Sequence, residues 1–197
     1  MDNVQTMFYT GAEPWHGLGT RLEKEATAQE ALKAAQMDWS VSKRPVFIKV
    51  GKDTIAIPGK YAIARDDNNH PLGVVGETYQ PLQNRDSFSF FDAVVGEKSA
   101  IYHTAGALGQ GEKLWILAKI PGDVRIEGTD DITNKFLLLY NSHNGTTSVR
   151  MMITPIRVVC QNTLNMAMSS ASKEHKAWVR HSTNIGQRVA DVRDQLK

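Results

Sequence analysis

Asn144-Gly145 lies between two β-rich runs, Phe136 to Tyr140 and Thr147 to Ile153. Asn-Gly tolerates the left-handed backbone of a tight reversal, so the two runs should fold back on each other as a hairpin. Weaker versions of the same signal recur upstream. Trp39 to Val50 and Thr54 to Ile57 flank Gly51-Lys52, and Tyr61 to Ala64 and Leu72 to Val75 flank Asp66-Asp67-Asn68-Asn69. Ala100 to Ala105, Lys113 to Ile120 and Val124 to Ile126 also read as strands, broken by glycine-rich turns. Residues 1–20 read as irregular, with Gly11, Pro14, Gly17 and Gly19 as breakers.

Four helices are expected between these runs. Thr27-Ala28-Gln29-Glu30 matches a capping box and opens a helix to Met37. Asn84 caps one to about Val95, with Phe88, Phe91, Ala93 and Val95 on its core face and Gly96 as the stop. Thr154 as cap and Pro155 in the first turn open a third, to about Ser169. The last runs from about Asn184 to Leu196, with Ile185, Val189, Val192 and Leu196 in one stripe that must bury on the domain or against another subunit. About eight strands and four helices give an α+β fold with a mainly antiparallel sheet of hairpins. Residues 1–169 form the domain, and 170–197 a basic helical C-terminal element joined at Ser169 to Ser172.

With 197 residues, 41% of them apolar and 22% charged, the chain can bury a core without disulfide or metal staples. The single cysteine, Cys160, excludes an internal disulfide and favours a reducing compartment. The N-terminus lacks the pattern of a signal peptide, and no apolar run approaches a membrane span. A soluble, cytoplasmic protein is the expectation. From Arg150 onward there are eight Lys/Arg and three acids, whereas the first 149 residues hold 15 and 18. A basic C-terminal region suits phosphates, and equally a solvated helix face.

Three histidines sit in turn-like contexts, His16, His103 and His143. Brought together they would bind a metal or serve as acid and base, but no two have helical ligand spacing, so separate structural roles are favoured. Cys160, beside Val158 and Val159, reads as a buried small hydrophobe in mid-helix. Gly106 to Gly111 lacks the Lys-Ser/Thr ending of a phosphate loop and precedes a strand, so a β-turn is favoured. Arg157 and Gln161 fall one helical turn apart and need polar partners, a ligand or a backbone carbonyl. Lys176-Ala177-Trp178-Val179-Arg180 interleaves charge with an aromatic ring, the pattern that stacks bases and pairs phosphates, and reads as lying outside the main sheet.

Met7 to Thr20 resembles the opening signature of the phage/plasmid-like protein family, also called domain of unknown function 932. The similarity continues through Ile57 to Ile63, Leu72 to Gly76, Tyr79 to Asn84, Tyr102 to Gly109, Asn141 to Gly145 and Thr154 to Leu164. The resemblance implies a gene carried by phages, plasmids or prophages. It also implies a C-terminal part shorter than is common in the family. It supplies no activity. Within that setting the expected function is a non-catalytic nucleic-acid-binding protein, with single-strand DNA binding or annealing by a homo-oligomer as its specific form. Arg150, Arg157, Gln161, Lys176, Trp178 and Arg180 are its contact candidates, and no metal or cofactor is expected. The alternatives are an anti-defence protein that binds a host protein or nucleotide signal and, third, an enzyme using His16, His103 and His143.

Overall fold

The computed structural model describes residues 3–95, 100–125, 132–170 and 176–195. The sequence-predicted stop at Gly96, Ala171 and Ser172 of the joint, and Leu196 of the last stripe lie outside the described residues, as do the side chains of Ala93, Val95 and Val192. The elements in chain order are β1 (Val4–Thr10), β2 (Thr20–Leu22), α1 (Ala28–Ala34), β3 (Val41–Val50), β4 (Asp53–Arg65), β5 (Pro71–Gly76), α2 (Asn84–Val95), β6 (Ile101–Leu108), β7 (Lys113–Arg125), β8 (Ile132–Ser142), β9 (Val149–Thr154), α3 (Gln161–Ser170), β10 (Lys176–Val179) and α4 (Ile185–Gln195). The fold is α+β, as the hairpin pattern implies.

Seven strands form one sheet in the order β10-β9-β8-β7-β6-β1-β2, antiparallel except for the parallel β1–β2 pair. A second sheet holds β3-β4-β5. Strand alternation sends side chains to opposite faces, and both faces of the large sheet are covered. One face carries Phe8, Ala105, Ile116, Leu139 and Met151 into a core shared with α1, α2, α4 and the small sheet. The other carries Met7, Trp115, Leu138 and Met152 against Val158, Val159 and Leu164.

Three sequence expectations need correction. The first 20 residues are not all irregular: β1 pairs with β6, and its Met7 and Phe8 go to opposite cores. The third helix does not begin at Pro155. Residues 155–160 form a loop, because their backbone is engaged elsewhere: Thr104 Oγ1 donates to Val158 O, His16 Nε2 lies 3.1 Å from Val159 O, and the N–H groups of Val159 and Cys160 donate to Thr163 Oγ1. Cys160 is buried as expected, but it precedes the helix rather than sitting inside it. Finally, Lys176–Val179 is an edge strand of the large sheet, paired with β9, and not outside it.

The Asn144-Gly145 hairpin is present between β8 and β9, with a longer reversal than two residues. Asn144 Oδ1 accepts from the Thr146 N–H and hydroxyl, an Asx turn, while Gly145 takes φ +75°. Ile185 and Val189 of the last stripe bury in the chain's own core, so this part of the stripe needs no second subunit.

Candidate functional site

Pairing of β10 with β9 sets Trp178 opposite Arg150 and Lys176 opposite Met152. Alternation puts Lys176, Trp178 and Arg180 on one face of β10, beside Arg150 and Met152 of β9, while Val179 turns into the core. On the far side of Arg150 the partner is Tyr140 of β8. The β8–β9 turn, Tyr79 and His181 wall this edge off into a groove of about 620 Å³. Four of the six sequence-predicted contacts, Arg150, Lys176, Trp178 and Arg180, line it together.

The groove has the chemistry of an anion and ring site. Its lining contains three cations and no acid, and among the described residues none of the three forms an ion pair. Trp178 leaves 66% of its surface exposed, a large apolar area for a ring that has a folded sheet beside it. Lys176 is partly committed: its Nζ donates to Met168 O in the last turn of α3, where a cation also suits the helix dipole. Arg150 and Arg180 are exposed and remain the available cations. Two buried polar atoms in the walls lack a partner, Thr147 Oγ1 and His181 Nε2.

The far wall is a preformed assembly that sequence reasoning did not resolve. Tyr79 stacks on His181 at 4.6 Å between ring centroids, and its hydroxyl donates to Ser142 O. His181 Nδ1 donates to Gln80 O, which leaves Nε2 as the bare acceptor, and burial holds the ring below the ordinary histidine pKa. Burial also raises the Tyr79 phenol, so it stays protonated. One face of the Tyr79 ring is therefore covered by His181. His181 carried no signal beyond its place next to Arg180.

Arg157 and Gln161 do not reach this groove. Arg157 lies in the loop after β9, and its Nη2 donates to Thr10 O at 3.0 Å and Ala12 O at 2.6 Å, fastening the end of β1 at the opposite side of the sheet. Gln161 Nε2 donates to Asn165 Oδ1 one turn along α3. The carbonyl partner expected as the alternative to a ligand is what Arg157 holds, at Thr10 on the end of β1 and at Ala12 just beyond it.

The three histidines stay apart as well. His16 accepts the Leu18 N–H at Nδ1, so its Nε2 donates to Val159 O. His103 is not in a turn but in β6, with Nδ1 2.9 Å from Thr10 Oγ1 and its ring stacked on Phe136. His143 lies on the other face of the sheet, fully buried, edge-on to Trp39 and with Nε2 2.8 Å from Asn84 Oδ1. Among the described residues no three His, Cys, Asp or Glu are grouped to hold a metal ion.

Burial lowers His103 from 6.5 to about 4, with Arg157 and Lys119 adding repulsion, and His143 to about 3. Both therefore fold neutral and resist charging. Above pH 6.5 they are neutral in both states and contribute no pH dependence. Below it the unfolded chain takes up the protons that the folded one refuses, so stability falls with acidification. For His143 the slope is about 1.4 kcal/mol per pH unit, continuing to its folded-state pKa near 3. Urea titrations from pH 7 to 4 should show this loss, with a shallower slope in His143→Gln; equal slopes would exclude His143 as its source.

Residues 71–197 match the profile of the family described as a domain of unknown function. No curated protein and no solved structure matches the chain. The matched residues contain the whole β9–β10 groove, and they cover well over half of the sequence. The chain belongs to the DUF932 family.

Proposed function

We propose that this chain is a non-catalytic protein that binds single-stranded nucleic acid, single-stranded DNA foremost, in the β9–β10 groove. The observation that carries the reading is the exposed Trp178 ring set across from Arg150 in a wall of cations without acids. A base stacks on a flat aromatic face while Arg and Lys pair with the phosphates on either side, and neither interaction depends on sequence. Nothing in this function needs a nucleophile, a metal or a general base. The phage or plasmid setting, and with it the cytoplasm of a bacterial host, rests on the motifs shared with the phage/plasmid-like family. No helix among the described residues is long and apolar enough to cross a membrane.

The test is a gel-shift series with single-stranded DNA, duplex DNA and RNA at two salt concentrations. Two phosphate contacts, from Arg150 and Arg180, release counterions with a slope of about −1.4 in log K against log salt, so a fourfold rise in salt should weaken binding about sevenfold. Absence of any shift at low salt contradicts the proposal. A second reading, an anti-defence protein that binds a host protein, draws on Trp15 and Leu18, which stand exposed after β1. It expects indifference to oligonucleotides and retention of one host protein by the wild type, lost in Trp15→Ala.

A further inference from the structure

The hairpin of β3 and β4 extends beyond its sheet. β5 pairs only with residues 60–64 of β4, so residues 47–56 form a two-stranded arm closed by Gly51-Lys52, with Gly51 at φ +62°. Isolated two-stranded ribbons are marginal in water, and this one exposes Phe47, Ile48, Val50 and Ile55 to between 46% and 54%. Its faces differ. Phe47 and Lys49, with their partners Ala56 and Thr54, share one face; Ile48, Val50, Ile55 and Asp53 share the other. Lys52 stands at the tip, and Lys60 where β5 pairing begins, so three lysines face one aspartate along residues 47–60. Among the described residues none of the three lysines has an ion pair.

The root of the arm adjoins the groove. Lys43 Nζ donates to Glu77 O and Tyr79 O while lying 4.4 Å over the Tyr61 ring, and Tyr79 is a groove wall. Gly73 and Val75 of β5 pack on Asn144 and Gly145, so closely that a Cβ on Gly73 would meet Asn144 Cα at 2.7 Å. Lys43 thus ties the root of the arm to a groove wall, and Lys60, Lys49 and Lys52 follow along the hairpin beyond it.

We infer that the Phe47–Lys49 face of the arm is a second contact for the same nucleic-acid strand, which leaves the groove past Tyr79 and runs out along β3 and β4. This rests on the proposed function. Its chemistry repeats that of the groove: an exposed ring for a base, and cations spaced along a strand for phosphates. Charge decides the occupant, since three lysines to one aspartate, with no ion pair at these lysines among the described residues, suit a polyanion.

Fluorescence anisotropy with oligothymidylates of about 6 and about 20 nucleotides separates the contacts, because single-strand grooves occupy about 4–16 nucleotides. Phe47→Ala/Lys49→Gln/Lys52→Gln should bind the long strand about tenfold more weakly and the short strand like the wild type. Trp178→Ala should lose affinity for both, and Ile48→Ser/Ile55→Ser, on the opposite face, should lose little for either. Wild-type affinity for the long strand in the triple variant, alongside a loss in Trp178→Ala, overturns the arm contact and leaves the groove standing. No binding by the wild type at either length overturns both. A triple variant whose own sedimentation coefficient drops shows the arm to be a contact between copies of the chain, which also overturns the inference.

Discussion

Trp178→Ala is expected to weaken binding of single-stranded DNA about 5- to 150-fold, because stacking of one base is worth about 1–3 kcal/mol. The fold should tolerate the change. Trp178 is an exposed side chain on an edge strand, and the core contribution of β10 comes from Val179. Adding Arg150→Glu removes the neighbouring cation and puts a negative charge in its place, so the double variant should fall at least about 100-fold below the wild type at low salt. Anisotropy titrations give the affinities, and a thermal melt within a few degrees of the wild type shows the loss to be local. Arg157→Ala gives the contrasting result. It frees the carbonyls of Thr10 and Ala12, so it should lower stability while leaving affinity for DNA nearly unchanged.

The largest stability effect is expected at Asn84. Its Nδ2 donates to Met37 O and Trp39 O, and its Oδ1 meets His143 Nε2, all within a fully buried site. Those two carbonyls accept from Nδ2, so Oδ1 is the acceptor and His143 Nε2 carries the proton. Asn84→Ala strands three polar groups at once. At about 1–3 kcal/mol for each unpaired buried group, the expected cost is at least about 3 kcal/mol. Urea unfolding at pH 7 measures it, and a loss below about 1 kcal/mol would mean that the network closes over the gap. Asn84→Asp tests the polarity, because a carboxylate cannot donate to Met37 O and Trp39 O.

That network explains why so much of the chain was legible and so little of its work. The motifs that carry the sequence resemblance meet one another in the fold. Asn141 Nδ2 donates to Leu82 O, Tyr79 donates to Ser142 O, and His143 reaches Asn84, so the Tyr79–Asn84 and Asn141–Gly145 motifs form the joint between the two sheets. His16 of the opening motif is spent on Val159 of the Thr154–Leu164 motif, and Arg157 of the latter on Thr10 and Ala12 of the former. A Cβ on Gly106 would run into the Trp115 ring and meet Thr6 O at 2.6 Å, so that glycine serves close packing. These polar residues stand out in sequence as site residues would, and in the structure they are ties.

Hairpins were readable because their turn residues act locally. Gly51 adopts φ +62° and Asn69 φ +61°, at the reversals where the sequence puts them. A helix does not start at Pro155, because its signals are local and the contacts that replace it are not. Thr104 and His16, 54 and 143 residues away in sequence, take the carbonyls of Val158 and Val159. The groove lay between these cases. Alternation of Lys176, Trp178 and Arg180 was visible, but only pairing with β9 supplies Arg150 across from Trp178.

The most direct test of the groove is the intrinsic fluorescence of the tryptophans during titration with oligothymidylate, in a Trp15→Phe background. Trp39 and Trp115 are buried, so Trp178 is the ring a base can reach. Stacking should quench its emission to saturation, and the quench should disappear in Trp178→Phe. No quench, or the same quench without Trp178, would contradict a base bound in this groove.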